Sequence, residues 1–168
     1  MSTAELRTVT ADEVADYIIW DSNDRGSFLS NQKLQKLLYY VQAWHLATHG
    51  RSLFDGVFEA GVRGPIFPSL YDRYSRYKGK HIDEQVGRPQ LPAEVEEFVQ
   101  EVLAVYGEMD ARKLERLVWG EDPWRLPRER AGLADDDPAR ATINEREMER
   151  YYRARMAADV SNGSRPAT

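Results

Sequence analysis

The stretch KLQKLLYYVQAWHLATHG, residues 33–50, decides the fold. At about 3.6 residues per turn, Leu34, Leu37, Leu38, Val41, Trp44 and His45 fall on one stripe, the pattern of a helix that buries one face. Lys33, Gln35, Lys36 and Gln42 fall away from the centre of that stripe. Ser30 offers a side-chain oxygen to the free amides of the first turn. Gly50 supplies the left-handed residue that ends a helix. This element is expected to be central to the core.

Outward from it, the pattern is mostly helical. Upstream, Thr10 and Glu13 form a capping box that opens a helix over 11–20, with Val14, Tyr17 and Ile18 inward. DSNDRGS, 21–27, breaks it. Downstream, the period changes. Residues 57–62 (VFEAGV) read as one strand, ended by Gly64-Pro65, and 81–86 (HIDEQV) is a candidate second strand. A helix is expected over 68–77, with Leu70, Tyr74 and Tyr77 on one face. Pro92 suits a helix start, and Val95, Phe98, Val99, Val102, Leu103 and Tyr106 form the buried stripe that follows. Asp110 caps a short helix carrying Leu114, Leu117 and Val118, and Pro123 ends it. Residues 125–140 read as a polar connection. A capping box of Thr142 and Glu145 opens a last helix to about residue 158, and 159–168 read as a disordered tail. The fold class is therefore α+β and predominantly α-helical. It is a single compact domain over 1–158 with a small antiparallel β element near 57–62. Leu34, Leu38, Val41, Trp44, Phe98, Val102, Leu114 and Leu117 are expected to be buried together.

Composition narrows the function. The 168 residues carry a net charge of −5, with 42% hydrophobic and 11% aromatic residues. That is enough for a core and weighs against broad binding to nucleic-acid backbone. RLPRER, 125–130, is the one basic run, and ADDDP follows it closely, so it reads as a solvated charged loop. With no cysteine, neither a disulfide nor a zinc–thiolate site is possible, and a reducing compartment, the cytoplasm, is expected. No apolar run approaches the roughly 18 residues of a membrane span, and no signal-peptide stretch opens the chain.

No constellation for catalysis emerges. His45 and His49 stand four apart, but Leu46 follows the first where a metalloprotease helix carries Glu, and no third ligand is indicated. His45 reads as a core histidine with one hydrogen bond. The serines sit at turns and caps, without a nucleophile elbow, and there is no phosphate loop. Asp55 with Glu59 is the least poor carboxylate pair. No metal and no cofactor are expected, and the chain reads as a binding module, not an enzyme.

Several spaced motifs then agree. They are KLQKLLYY with WHLA, then GRSLFD, EA, RGP and PSLY, and downstream Val105-Tyr106-Gly107, Glu121-Asp122-Pro123-Trp124, and Ile143 ahead of Tyr151-Tyr152. Over about residues 10–155 the chain resembles the Panacea domain, the SocA-like antitoxin family. Two places depart. Val118-Trp119 stands where Thr-His is common, and Phe67 where a small or β-branched residue is common. The resemblance implies an antitoxin, often phage-associated, that neutralises a toxin encoded by the adjacent gene through direct contact. The alternative it implies is a proteolytic adaptor that delivers a partner to an AAA+ protease, or a phage-associated interaction protein. An uncharacterised hydrolase is the third reading. The contact surface is expected at Arg63, Gly64 and Pro65, with Tyr71 and Arg76 from the outer face of the 68–77 helix and Trp119 beside them, because Tyr, Trp and Arg are enriched at binding hot spots.

Overall fold

A computed structural model describes residues 9–161. In chain order the elements are α1 (Ala11–Asp24), α2 (Asn31–His49), β1 (Glu59–Gly61), β2 (Gly64–Ile66), α3 (Pro68–Arg73) with a 3-10 turn (Ser75–Tyr77), α4 (Ala93–Tyr106), α5 (Ala111–Trp119), α6 (Asp122–Arg130), β3 (Ala141–Thr142) and α7 (Glu145–Ser161). The mainly helical α+β architecture agrees with the sequence. Among the described residues no helix is long and apolar enough to cross a membrane.

α2 forms where the sequence places it. Ser30 Oγ accepts from the Lys33 amide at 3.2 Å, and Gly50 closes the helix at φ 72°. Its surroundings are not those of an amphipathic surface helix. Every residue from 33 to 47 is buried, because α1, α4, α5, α7 and the β2 strand pack around it, α7 most extensively. Lys33, Gln35, Lys36 and Gln42, off the centre of the apolar stripe, are therefore enclosed as well. A stripe count assumes one packed face; here the helix has several.

The small sheet has the order β2-β1-β3, all antiparallel. β1 matches the strand expected at 57–62, but its partners differ from expectation. Gly64 and Pro65 do not end the strand; they begin β2, with Gly61 opposite Gly64 and Glu59 opposite Ile66. The second strand expected at 81–86 is absent. That segment runs irregularly over the α1–α2 turn, where the Ile82 amide donates to Leu29 O at 2.8 Å and Asn23 Nδ2 to Glu84 O at 3.0 Å. The third strand is Ala141–Thr142, too short to show alternation.

Other boundaries moved for local reasons. α1 continues to Asp24, past the expected end at 20. Thr142 lies in β3, so α7 is capped instead by Asn144, whose Oδ1 accepts from the Glu147 amide at 3.1 Å. α7 runs through Ser161, so 159–161 are helical; the rest of the expected tail lies outside the described residues. Leu117 is not in the core. Leu114 and Val118, one turn apart, form the inner edge of α5, and Leu117 faces out.

The largest correction concerns 122–130. Pro123 does not end a helix but stands in the first turn of α6, where its missing N–H has no helical partner to lose. RLPRER is thus helical, with Pro127 and Arg128 turned inward beside Trp124. Arg128 is buried, and its guanidinium donates to four backbone carbonyls: Ala60 (3.0 Å), Ala139, Ala134 and Asp137 (2.9 Å each). One side chain thereby fastens the 134–139 loop, and with it β3, to β1. A lysine cannot reproduce that planar fork. Arg128→Lys is expected to lower unfolding free energy by about 2–4 kcal/mol, several donated bonds being lost at once. Urea denaturation checks this, and the 134–141 amides should lose hydrogen-exchange protection first.

Candidate interaction surface

The surface is built on polar side chains of α2 that reach past their own helix. Asn31 and Gln35, one turn apart, grip the junction between β2 and α3. Gln35 Oε1 accepts from the Phe67 amide at 2.7 Å, Gln35 Nε2 donates to Asn31 Oδ1 at 3.0 Å, and Asn31 Nδ2 donates to Tyr71 O at 3.0 Å. Gln42 holds the 53–54 loop. Its Oε1 accepts from the Leu53 amide at 2.7 Å and its Nε2 donates to Phe54 O at 2.7 Å. Lys33 Nζ donates to Gly107 O at 2.6 Å, a cation at the C-terminal end of α4 where the helix dipole favours one. His45 Nδ1 lies 2.7 Å from Arg51 O, and burial lowers its pKa.

A second polar cluster joins α2 to α6 and α7. Glu121, 5% exposed, accepts at Oε1 from Tyr40 (2.8 Å) and Tyr152 (2.7 Å), and at Oε2 from Arg155 (3.3 Å). Burial raises its pKa, while the two hydroxyls and Arg155 oppose that shift. Tyr40 stacks on Tyr106 at 4.1 Å, and Tyr106 OH accepts from Trp44 Nε1 at 2.8 Å. Both carboxylate oxygens of Glu121 are thus engaged in cross-links between helices. The sequence assigns Glu121-Asp122-Pro123-Trp124 no role; an acid two residues before an N-terminal proline, at the helix cap, with tyrosines elsewhere in the chain, is the available signal.

Above this frame, the β1–β2 hairpin projects toward α5. Gly64 has φ 126°, and a Cβ there would lie 3.1 Å from Lys36 Cε and 3.2 Å from Val118 Cγ1, so only glycine fits between α2 and α5. Trp124 Nε1 donates to Gly61 O at 2.8 Å, pinning the hairpin tip, and Trp119 packs on Trp124 with ring centroids 6.1 Å apart. Arg63 and Trp119 are exposed on this side, whereas Gly64 and Pro65 are buried beneath them. Tyr71 lies at the opposite, open end of the hairpin. It is half-buried, with the Arg140 guanidinium 5.4 Å above its ring, and Arg140 also pairs with Glu59. Arg76 is separate again. It is exposed but held by Glu84 and Tyr77. The geometry thus groups Arg63 with Trp119, Tyr71 with Arg140, and Arg76 with Glu84. Arg140 had no periodic signal, standing in a segment read as a connection.

Asp55 and Glu59 do not form a pair. Glu59 binds Arg140, and Asp55 faces Glu145, whose pKa burial and Asp55 together raise. His45 and His49 stack at 4.3 Å. Among the described residues, no group of three His, Cys, Asp or Glu side chains is placed to hold a metal.

The family described as "Antitoxin SocA-like, Panacea domain" matches residues 34–125. The chain belongs to this family. The match starts within α2 and ends within α6, a shorter span than the 10–155 of the motif reading. It contains Gln35, Tyr40, Gln42, the hairpin, α5 and Glu121, while Arg128 and α7 lie outside it. Antitoxin SocA of Caulobacter vibrioides (strain NA1000 / CB15N) is 29% identical over 124 residues, covering 67% of this chain and 66% of that protein. The chain thus spans just under two thirds of the length of that relative. No solved structure matches the chain.

Lys36 gives this Panacea domain a pH signature. Its amine is buried under the hairpin with Gln32 O (3.2 Å) and Gln32 Oε1 (3.4 Å) as partners, and desolvation pushes its pKa down to about 8. The fold therefore disfavours the charged form, at a cost of about 3 kcal/mol at neutral pH. Between pH 8 and the ordinary lysine value the unfolded chain binds the extra proton, so stability rises with pH. Lys36→Met is expected to be more stable than wild type at pH 7, by an amount that shrinks from pH 8 to 9.5. Thermal unfolding of both proteins across that range checks it; an unchanging difference contradicts it.

Proposed function

We propose that this protein is an antitoxin that neutralises a cognate toxin by direct protein–protein contact. Membership of the Panacea family is the observation that carries this reading, and the antitoxin name of its Caulobacter relative supports it. The polar core is consistent with a binding module. Its buried charged groups Glu121 and Arg128 hold segments together. The role is accordingly non-catalytic, with no cofactor, and the cysteine-free chain suits a reducing cytoplasm. The toxin is the product of the adjacent gene, and it meets the surface around Arg63, with Gly64 and Pro65 holding that residue rigidly and Trp119 beside it. Tyr71 and Arg76 extend the surface along α3. A rigid hairpin reduces the entropy lost on association.

Co-expression tests the reading. The adjacent gene product should arrest growth alone, and this protein should relieve the arrest and co-purify with it. Tyr71→Ala and Arg76→Ala, made singly, should keep the fold and weaken binding by at least about 1–2 kcal/mol. Wild-type neutralisation by both, at unchanged expression, would move the interface elsewhere. If the relieved cells contain toxin at undiminished level, neutralisation is by blocking; if toxin disappears only while an AAA+ protease is active, the protein is an adaptor.

A further inference from the structure

α5 breaks two rules of helix stability. Its sequence, ARKLERLVW, places Arg112 and Lys113 in the first turn, where the helix dipole disfavours cations, and the Asp110 cap, whose Oδ1 accepts from the Lys113 amide at 2.8 Å, is the one carboxylate set against them there. Arg112 and Arg116 stand four apart on the exposed side, a like-charge spacing that destabilises a helix. Around the outer face the residues follow in the order Trp119, Arg112, Arg116, Lys113, Leu117, all exposed. Trp119 and Leu117 are 39% and 37% exposed, so two large apolar groups flank a cationic centre. Arg63 is added from the hairpin, which packs on α5 through Gly64 and Val118.

These cations also lack the carboxylate partners that many cations elsewhere have. Among the described residues none of Arg63, Arg112, Lys113 and Arg116 forms an ion pair. On other faces Arg25, Arg88, Arg125 and Arg130 each hold a carboxylate. Arg51, Lys78 and Lys80 in loops and Arg146 and Arg150 on α7 are unpaired too, but the α7 pair alternates with Glu145, Glu147 and Glu149, which offset it locally, and the loop cations stand on no helix. The one acid within α5, Glu115, sits at its inner margin toward Lys36. A protein of net charge −5 thus presents one concentrated cationic and aromatic face, at some cost to the helix that carries it. A local conflict without gain to the fold marks a functional surface.

We infer that the outer face of α5, with Arg63, is a docking surface for an acidic segment of a protein partner, one whose carboxylates alternate with apolar side chains. Carboxylates of the partner pair with Arg112, Arg116 and Arg63, and its apolar groups cover Trp119 and Leu117. This rests on the antitoxin reading for the identity of the partner. It names the chemistry of the partner's contact region as acidic and apolar, although the overall charge of this protein alone would favour a basic one.

Two probes test it: the purified adjacent gene product, and a synthetic peptide alternating Glu with Leu and Phe. Isothermal titration is done with wild type, Arg112→Glu/Arg116→Glu, Trp119→Ala, and the control Arg146→Glu/Arg150→Glu, which makes the same change of net charge. The α5 double variant should melt close to wild type, since the acid gained in the first turn and the cation lost from the last turn act oppositely on the helix dipole, yet bind the gene product at least tenfold more weakly. Trp119→Ala should also weaken binding, and the control should not. The wild-type affinity should fall from 50 to 300 mM salt. Unchanged binding by both α5 variants overturns the inference and leaves the antitoxin reading standing. If the gene product does not bind wild type, that reading fails, and the peptide decides the surface by NMR: a shift of the Trp119 indole N–H supports it, and no shift overturns it. Duplex DNA that displaces the peptide and binds tighter would reassign the face to nucleic acid and also overturn it.

Discussion

The structure depends on one helix that carries hydrogen-bonding side chains on the faces it buries. Without Asn31, Gln35 and Gln42, α2 would be a hydrophobic rod with nothing to fix the segments around it. Hydrophobic burial is not directional. A buried amide side chain is, because its donors and acceptor must all find partners or cost about 1–3 kcal/mol each. Gln42 meets that demand with the backbone of Leu53 and Phe54, and Gln35 with the amide of Phe67. Two stretches outside helices and strands thereby acquire fixed positions. The β hairpin lies between them, and its geometry follows from theirs.

The buried charges extend the same device. Glu121 connects α2, α6 and α7 through two tyrosine hydroxyls and Arg155. Arg128 connects α6 to the sheet and to the loop before β3. Removing one partner from such an arrangement leaves an uncompensated charge or donor, which costs more than the bonds themselves were worth. The frame is therefore rigid under the hairpin and α5, while their outer residues keep side-chain freedom. Rigid backbone with exposed Arg and Trp is the combination that binding surfaces favour.

How much of this the sequence disclosed depends on the kind of signal. The helices with long apolar periods were legible: α2 at both ends, α4 with its stripe, and the Thr10–Glu13 capping box of α1. Strand β1 was legible from the change of period, but β3, with two residues, carries no period at all. α6 was hidden because Arg and Pro read as solvent and terminator, whereas Arg128 is satisfied inside and Pro123 sits where a proline is harmless. On α5 the adjacent apolar Leu117 and Val118 are indistinguishable by period in so short a helix, and only Val118 joins Leu114 inside. Of the surface residues, Arg63 and Trp119 are both exposed, but the burial of Gly64 and Pro65 and the pairing of Arg76 with Glu84 depend on contacts distant in sequence. The polar residues of α2 were visible as letters. Their partners, 11 to 40 residues away, were not.

For a Panacea domain the consequence is that the matched segment 34–125 holds most of the organising helix, Gln35 and Gln42 included, and the surface it organises. The central claim is that buried side chains of α2 fix irregular backbone, and native-state hydrogen exchange tests it most directly. The amides of Leu53 and Phe67 lie outside any helix or strand, and each donates to a glutamine of α2. In a series of low guanidinium concentrations they are expected to exchange only through global unfolding, with the same free energy and denaturant dependence as the amides in the middle of α2. Exchange of Leu53 and Phe67 through local opening, at free energies several kcal/mol below that of α2, would contradict the account.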